Sequence, residues 1–252
     1  MSAARKRTAL VTGATQGLGA ALALRLAQDG YDVAVSGTTL EHLQDTVAAL
    51  QAQGARVVAV PLDLRSQQST EQAMARVVAE FGELDVLVNN AGVTTRSLAV
   101  DTTRDEWQTV LDINLTGTFF MSQQMGRHLI GQQRAGCIVN LSSTHGLIGF
   151  AQRSAYGISK AGVSHMTRML AIEWADHRIR VNAVAPGTVA TPSRVKFFTA
   201  DAGGFKAMID RVPLARLCEM EEVAAMVSYL ASPAAAYITG QTMVLDGGLT
   251  SY

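Results

Sequence analysis

Cysteine is nearly absent from this sequence. Its two examples in 252 residues, Cys137 and Cys218, form no C-x-x-C pair and sit in no metal-like histidine spacing. A disulfide framework and a zinc site are both disfavoured, and no metal is expected. Neither sign of charge is in surplus. The 21 basic and 21 acidic residues balance to zero, which argues against a nucleic-acid surface or an acidic tail. No apolar run approaches the ~20 residues of a membrane span. The opening MSAARKRTALVTG carries basic residues, but its apolar stretch is too short for a signal-peptide core. These absences predict a soluble, cytoplasmic protein with neither nucleic acid nor membrane as partner. Linkers, repeats and low-complexity segments are missing as well, so residues 1–252 are expected to form one domain. The 48% hydrophobic fraction suffices for a full core at that length.

What is present is an alternation. Thr8–Thr12 reads as a buried strand, followed by a glycine-rich turn and a helix striped by Leu18, Leu22 and Leu26. Tyr31–Ser36 is a second strand, and Leu40, Leu43, Val47 and Leu50 mark the next helix. Arg56–Val60 is a third strand, with Asp63 and Leu64 just past its end. A helix carrying Ala73, Val77 and Phe81 leads to strand Leu84–Val88 and the turn Asn89-Asn90-Ala91-Gly92. One long helix is predicted from Asp105 to about Ile130, with Trp107, Leu111, Leu115 and Phe119 at four-residue steps. Strand 137–141, a helix from Tyr156 to about Asp176, and strands Arg178–Ala185 and Thr242–Leu245 complete the series. Short apolar strands alternating with helices imply βαβ units. The fold class predicted is α/β: a doubly wound Rossmann fold with a seven-stranded, mostly parallel sheet and helices on both faces.

The segment 191–217 breaks the rhythm. It contains Pro192, Pro213, Gly203-Gly204 and Phe197-Phe198, and no long-period pattern covers it. It is expected to be irregular and to act as a substrate lid, because it follows the carboxyl end of a strand, where open α/β sheets bind ligands.

Gly13, Gly17 and Gly19 lie between a predicted strand and a predicted helix. Glycines there let the backbone approach a pyrophosphate, and the helix N-terminus offers free N–H groups. The spacing is G-x-x-x-G-x-G rather than G-x-G-x-x-G. An acid at the end of the second strand would bind the 2′-hydroxyl of NAD and repel a 2′-phosphate. Ser36-Gly37-Thr38-Thr39 has none, nor is there a basic residue at 16 or 36–39. Hydroxyls from Ser36, Thr38 and Thr39 remain as donors, so NADP(H) is favoured over NAD(H).

Tyr156 and Lys160 are four residues apart, on one face of a helix if the segment is helical. A nearby ammonium favours a phenolate, and is expected to lower the Tyr156 pKa from about 10. Ser143 ends the apolar run Cys137–Leu141, thirteen residues earlier, where its hydroxyl can face the same site. Tyrosine–lysine pairs at this spacing are common on ordinary surfaces, so the pair alone is weak evidence.

Together these residues resemble the short-chain dehydrogenase/reductase family, in its compact form, from Thr8 to Gly248. Thr12–Gly19 is similar to the family's T-G-x-x-x-G-x-G loop, Asn89–Gly92 to its N-N-A-G turn, Pro186-Gly187 to its P-G turn and Asp246–Gly248 to its closing motif. The resemblance implies a catalytic set of Asn114, Ser143, Tyr156 and Lys160. Tyr156 would exchange a proton with the substrate oxygen, Lys160 would lower its pKa and hold the nicotinamide ribose, Ser143 would hydrogen-bond the substrate oxygen, and Asn114 would hold a water linking Lys160 to solvent. Ser142 is assigned a structural role. Cofactor contacts implied are Tyr156 and Lys160, with Gly13, Thr15, Gln16, Gly17, Leu18, Gly19 and Thr38 around the loop and second strand. Asp63 and Leu64 would meet the adenine, Asn90, Ala91 and Gly92 the adenosine ribose. Pro186, Gly187, Val189 and Thr191 would lie by the nicotinamide. His145, Phe150, Arg153, Arg96, Arg194 and Phe198 are candidates for the substrate pocket, with Arg153 or Arg194 able to take a carboxylate or phosphate. The expected activity is hydride transfer between a nicotinamide cofactor and a small carbonyl or secondary alcohol, in a pattern similar to 3-oxoacyl-carrier-protein reductases. The alternative is a catalytically silent nucleotide-binding sensor or scaffold. Helices 105–130 and 156–176 resemble those that pair in family homotetramers or homodimers.

Overall fold

A computed structural model describes residues 5–200 and 202–251. Seven strands form one sheet: β1 (Thr8–Val11), β2 (Asp32–Gly37), β3 (Val57–Pro61), β4 (Val86–Asn89), β5 (Gly136–Leu141), β6 (Ile179–Pro186) and β7 (Thr242–Leu245). Their order is β3-β2-β1-β4-β5-β6-β7, and every neighbouring pair is parallel. Parallel strands need both faces covered, and side chains alternate between faces with period two. Ala9, Val11, Val33, Val35, Val86, Val88 and Val139 therefore join one core with α1 (Gly17–Gln28), α2 (Gln44–Ala52) and α9 (Met220–Ala231). Leu10, Ala34, Val58, Val60, Leu87, Ile138 and Val181 join the other, with α3 (Gln67–Phe81), α5 (Gly117–Gly131) and α6 (Ser154–Glu173). Fully buried leucines such as Leu22, Leu26 and Leu230 each contribute about 2–3 kcal/mol.

The connection order reverses between β1 and β4. Chain leaving β1 goes to β2, and chain leaving β4 goes to β5 on the other side. Loops after the two strands diverge there and leave a crevice at the carboxyl end of the sheet. Gly13 sits in that turn with φ +65, and a Cβ on it would lie 2.7 Å from the Ala91 Cα. Both the left-handed backbone and the close approach demand glycine. Gly13→Ala is expected to lower stability by about 1–3 kcal/mol, read by thermal unfolding.

Two expectations need correction, and one helix was not anticipated. The long helix at 105–130 is interrupted. Helix α4 (Arg104–Leu111) is capped by a box between Thr103 and Glu106, then one π-helical stretch, Asp112–Thr116, intervenes before α5. The extra residue in that turn carries Asn114 into the interior, where it is fully buried. The segment 191–217 is largely helical, as α7 (Pro192–Ala200) and α8 (Ala202–Ile209), rather than irregular. Pro192 opens α7, a position where its missing N–H costs nothing, and exposed Val195 and Phe197 blur any apolar stripe. Helix α9 was not foreseen, although Glu219 and Glu222 form a capping box ahead of buried Val223, Val227 and Leu230. Among the described residues no helix is long and apolar enough to cross a membrane, and none cluster as a metal site. Both cysteines are free.

Candidate active site

The crevice is a cavity of about 650 Å³ at the carboxyl ends of β4, β5 and β6. Each of these strands delivers residues to it. Asn90 and Gly92 follow β4, Ser142 and Ser143 follow β5, and Gly187 to Val189 follow β6. The N-terminal turns of α6 add Tyr156 and Lys160, and α7 and α8 close the far side with Arg194, Phe197, Phe198 and Met208. Of the four expected catalytic residues, Ser143, Tyr156 and Lys160 line this one space. Asn114 does not line it but stands behind it. A Cβ added to Gly92 would lie 3.1 Å from Asn114 Oδ1 and 3.5 Å from Lys160 Nζ.

Asn114 is held on three sides. Its Oδ1 accepts from the Val93 N–H at 2.8 Å, and its Nδ2 donates to the Val93 carbonyl at 2.8 Å and to Ser159 Oγ at 3.1 Å. It thus clamps the loop after β4 to the start of α6. Lys160 Nζ donates to the Leu141 carbonyl at 2.7 Å, tying α6 to the end of β5. Ser142 donates to the Lys160 carbonyl at 2.9 Å and lies 2.7 Å from Ser164 Oγ. That is the structural part expected of it. Ser143 Oγ accepts from the His145 N–H at 3.2 Å and lies 3.3 Å from His145 Nδ1. The His145 ring stacks on Phe150 at 4.1 Å and meets Tyr156 edge-on at 5.6 Å.

The electrostatics differ from the simple expectation. Burial raises the Tyr156 pKa above its ordinary value, outweighing the influence of nearby Ser143 and the charges of Arg194 and Arg153, which favour the phenolate. The expected net lowering is therefore not found, and the charges that favour the phenolate come from two arginines as well as from the neighbouring lysine. Lys160 is buried, and that burial pulls its own pKa down to about 8. Its amine is engaged by the Leu141 carbonyl and lies 5.9 Å from the Tyr156 ring centre. His145 is held at about 4 by burial and then by Arg153 and Arg194. It is therefore a neutral ring at physiological pH.

The fit to a dinucleotide rests on the glycine loop. Gln16, at the N-cap of α1, gives no side-chain cap, and no acid stands in the first turn. The helix N-terminus keeps unsatisfied N–H groups of the kind that hold phosphates. Gly17 has φ +58 with only Thr191 near an added Cβ, at 3.8 Å. This is a cradle with room over it. Gly19 packs so closely on Asn90 Nδ2 and the Gly13 carbonyl that any side chain would push the helix away. Asn90, expected at a ribose, also braces this loop. Its Nδ2 donates to the Thr12 and Gly13 carbonyls at 2.9 and 3.0 Å. At the end of β2, Ser36 Oγ is buried without a partner, while Thr38 is exposed. Thr15 packs beside Gly37. Asp63 is paired with Arg65 at 2.9 Å and accepts a further bond from the Arg65 N–H. Leu64 packs against Gly117.

Leu18, Asn90, Gly92, Pro186, Gly187, Val189 and Thr191 all line the cavity. So do the six pocket candidates His145, Phe150, Arg153, Arg96, Arg194 and Phe198. Thr94, Met208 and Arg211 were missed. Met208 sits in and Arg211 just after the helical stretch misread as loop, and Thr94 has no sequence signal.

Comparison with known proteins agrees with this geometry. Residues 13–250 match a family described as enoyl-(acyl carrier protein) reductase. The chain is 38% identical to 3β-hydroxysteroid dehydrogenase 1 of Eggerthella lenta, covering 98% of this chain and 94% of that protein. It is 37% identical to the 3-oxoacyl-[acyl-carrier-protein] reductase FabG of Thermotoga maritima, covering 96% and 97%. An Agrobacterium tumefaciens structure with bound NADP superposes with a TM-score of 0.91 at 32% identity, covering 99% and 98%. Fold, crevice and these relatives together make the chain a member of the short-chain dehydrogenase/reductase family, an NAD(P)-dependent oxidoreductase acting on CH–OH and C=O groups.

Proposed function

We propose that this chain is an NADP(H)-preferring carbonyl reductase or alcohol dehydrogenase whose proton transfer runs through Ser143, Tyr156 and Lys160, with Asn114 as their support. The observation that carries this reading is the convergence of those three side chains on the cavity bordered by Leu18, Gly187 and Thr191. A nucleotide sensor has no use for a buried lysine beside a tyrosine and a serine. The bound nicotinamide supplies or takes the hydride.

The protein groups handle the oxygen. Tyr156, kept protonated by burial, donates to the oxygen as negative charge develops on it. Ser143 donates a second hydrogen bond to the same oxygen, which counts for more in a water-poor site. Lys160 contributes a positive charge and a donor for ribose hydroxyls. Asn114 holds the Val93 loop against α6, so the three groups keep their spacing.

The NADP(H) preference draws support from the lack of an acid at 36–39, the unpartnered Ser36 hydroxyl and the NADP-bound relative. Helices α7 and α8 fit a lid, since they carry the far wall of the cavity. Exposed Phe119 and Phe120 on α5, and Met169 and Ile172 on α6, fit a homotetrameric or homodimeric contact; Ile172 is 77% exposed.

The test is reduction of a carbonyl panel with NADPH and NADH across pH. Lys160 loses its charge above about 8, while Tyr156 holds its proton further. Reduction needs both, so the NADPH rate is expected to stay level at neutral pH and to fall as pH rises through about 8. A rate that climbs through that range, or no reduction of any carbonyl, would overturn the reading.

A further inference from the structure

The cavity carries more positive charge than carbonyl reduction requires. Arg96, Arg153 and Arg194 line it beside Lys160, and among the described residues no aspartate or glutamate does. Elsewhere in the chain arginines find carboxylates, as Arg5, Arg25, Arg56, Arg65, Arg134 and Arg216 do. Among the described residues, Arg96, Arg153 and Arg194 join no ion pair. Arg153 Nη1 donates to Thr94 Oγ1 and the Thr95 carbonyl, each at 2.8 Å, and Arg96 Nε donates to Gln152 Oε1 at 2.6 Å. All three acceptors are neutral. Arg194 faces the Phe198 ring, its guanidinium carbon 5.9 Å from the centre.

The crowding has a cost. Burial, then the charges of Arg194 and Arg96, holds the Arg153 guanidinium below its usual range. Arg153 is also the N-cap of α6, whose first turn has no acid. The positive end of that helix points the same way in charge. Arg153 and Arg194 line the same cavity as Ser143 and Tyr156, and their charges favour the Tyr156 phenolate. Guanidinium forks match carboxylate and phosphate oxygens, and such charge-assisted bonds are the strong ones. The remaining wall, with Phe150, Phe197, Phe198 and Met208, is apolar, and suits the carbon chain between an anionic end and a carbonyl.

We propose that the substrate is a ketone or secondary alcohol bearing an oxyanion, a carboxylate or a phosphate, held by Arg153 and Arg194 while its oxygen faces Ser143 and Tyr156. This rests on the carbonyl chemistry assigned to the same site, but it is tested separately. The probes are 2-, 3- and 4-oxo carboxylates, each against its methyl ester, and dihydroxyacetone phosphate against dihydroxyacetone. Calorimetric binding to the NADP-loaded Tyr156→Phe protein gives affinity without turnover, and kcat/KM of the wild type gives the second readout.

At least one anion is expected to bind roughly tenfold or more tightly than its neutral partner, the weight of one charge-assisted contact. Arg194→Gln is expected to collapse that ratio, and raised salt to shrink it. The acid arm or the phosphate arm identifies the anion. Anion-selective binding without turnover supports the pocket and sinks the carbonyl chemistry. Turnover of neutral ketones with no anion preference, or a ratio untouched by Arg194→Gln, overturns the proposal and leaves the chemistry standing. So does failure of every anion to bind.

Discussion

Tyr156→Phe is expected to lower turnover by about 10²–10⁴, the usual range for loss of a positioned acid or base. Cofactor affinity should change by no more than about twofold. The ring of Tyr156 packs edge-on to His145, and phenylalanine preserves that contact. What is removed is the hydroxyl that faces the same cavity as Ser143. Losing one polar contact costs about 1 kcal/mol of stability, so the variant should fold. Thermal unfolding, cofactor titration and turnover on one preparation separate the three effects.

Lys160→Met is expected to abolish most turnover and yet stabilise the fold. Burial holds the lysine at about 8, against 10.5 for the free side chain. Carrying its charge at neutral pH therefore costs roughly 3 kcal/mol. Methionine removes that cost but leaves the Leu141 carbonyl without the Lys160 donor, a loss of about 1–2 kcal/mol. The net gain is about 1–2 kcal/mol, or a few degrees in Tm for a chain of this size. The pH dependence sharpens the test. A lysine with a depressed folded pKa makes the unfolded chain hold more protons between about 8 and 10.5. Wild-type stability should gain from this group as pH rises through that window. The variant should lack that gain. Denaturant unfolding at both ends of the window checks it, and a destabilised variant with the same pH slope as wild type would refute it.

Much of this site was legible because the relevant signals are local. Glycines at 13, 17 and 19 report a tight turn between a strand and a helix, whatever the rest of the chain does. Strand ends report the carboxyl edge of a parallel sheet, and Ser143, Pro186 and Gly187 line the cavity there. Helical spacing brought Tyr156 and Lys160 to one face.

The failures have one source: they depend on contacts made across the fold. Four-residue steps from Trp107 to Phe119 are compatible with an unbroken helix, and only the Asn114 clamp on Val93 and Ser159 explains the π-helical turn. Spacing shows that Lys160 and Tyr156 share a face, but not that Nζ turns to the Leu141 carbonyl. Nor does it show that Arg153 and Arg194, from different elements, line the same cavity as the phenol. Helices α7 and α8 were hidden because exposed apolar residues there follow the cavity rather than a core stripe.

The most direct test of the account follows consumption of NADPH by its absorbance in wild type and Tyr156→Phe, with NADPH binding measured by fluorescence on the same samples. The account predicts undiminished binding and nearly complete loss of consumption in the variant. Consumption within a few-fold of wild type, at equal binding, would show that the proton on the substrate oxygen comes from another group.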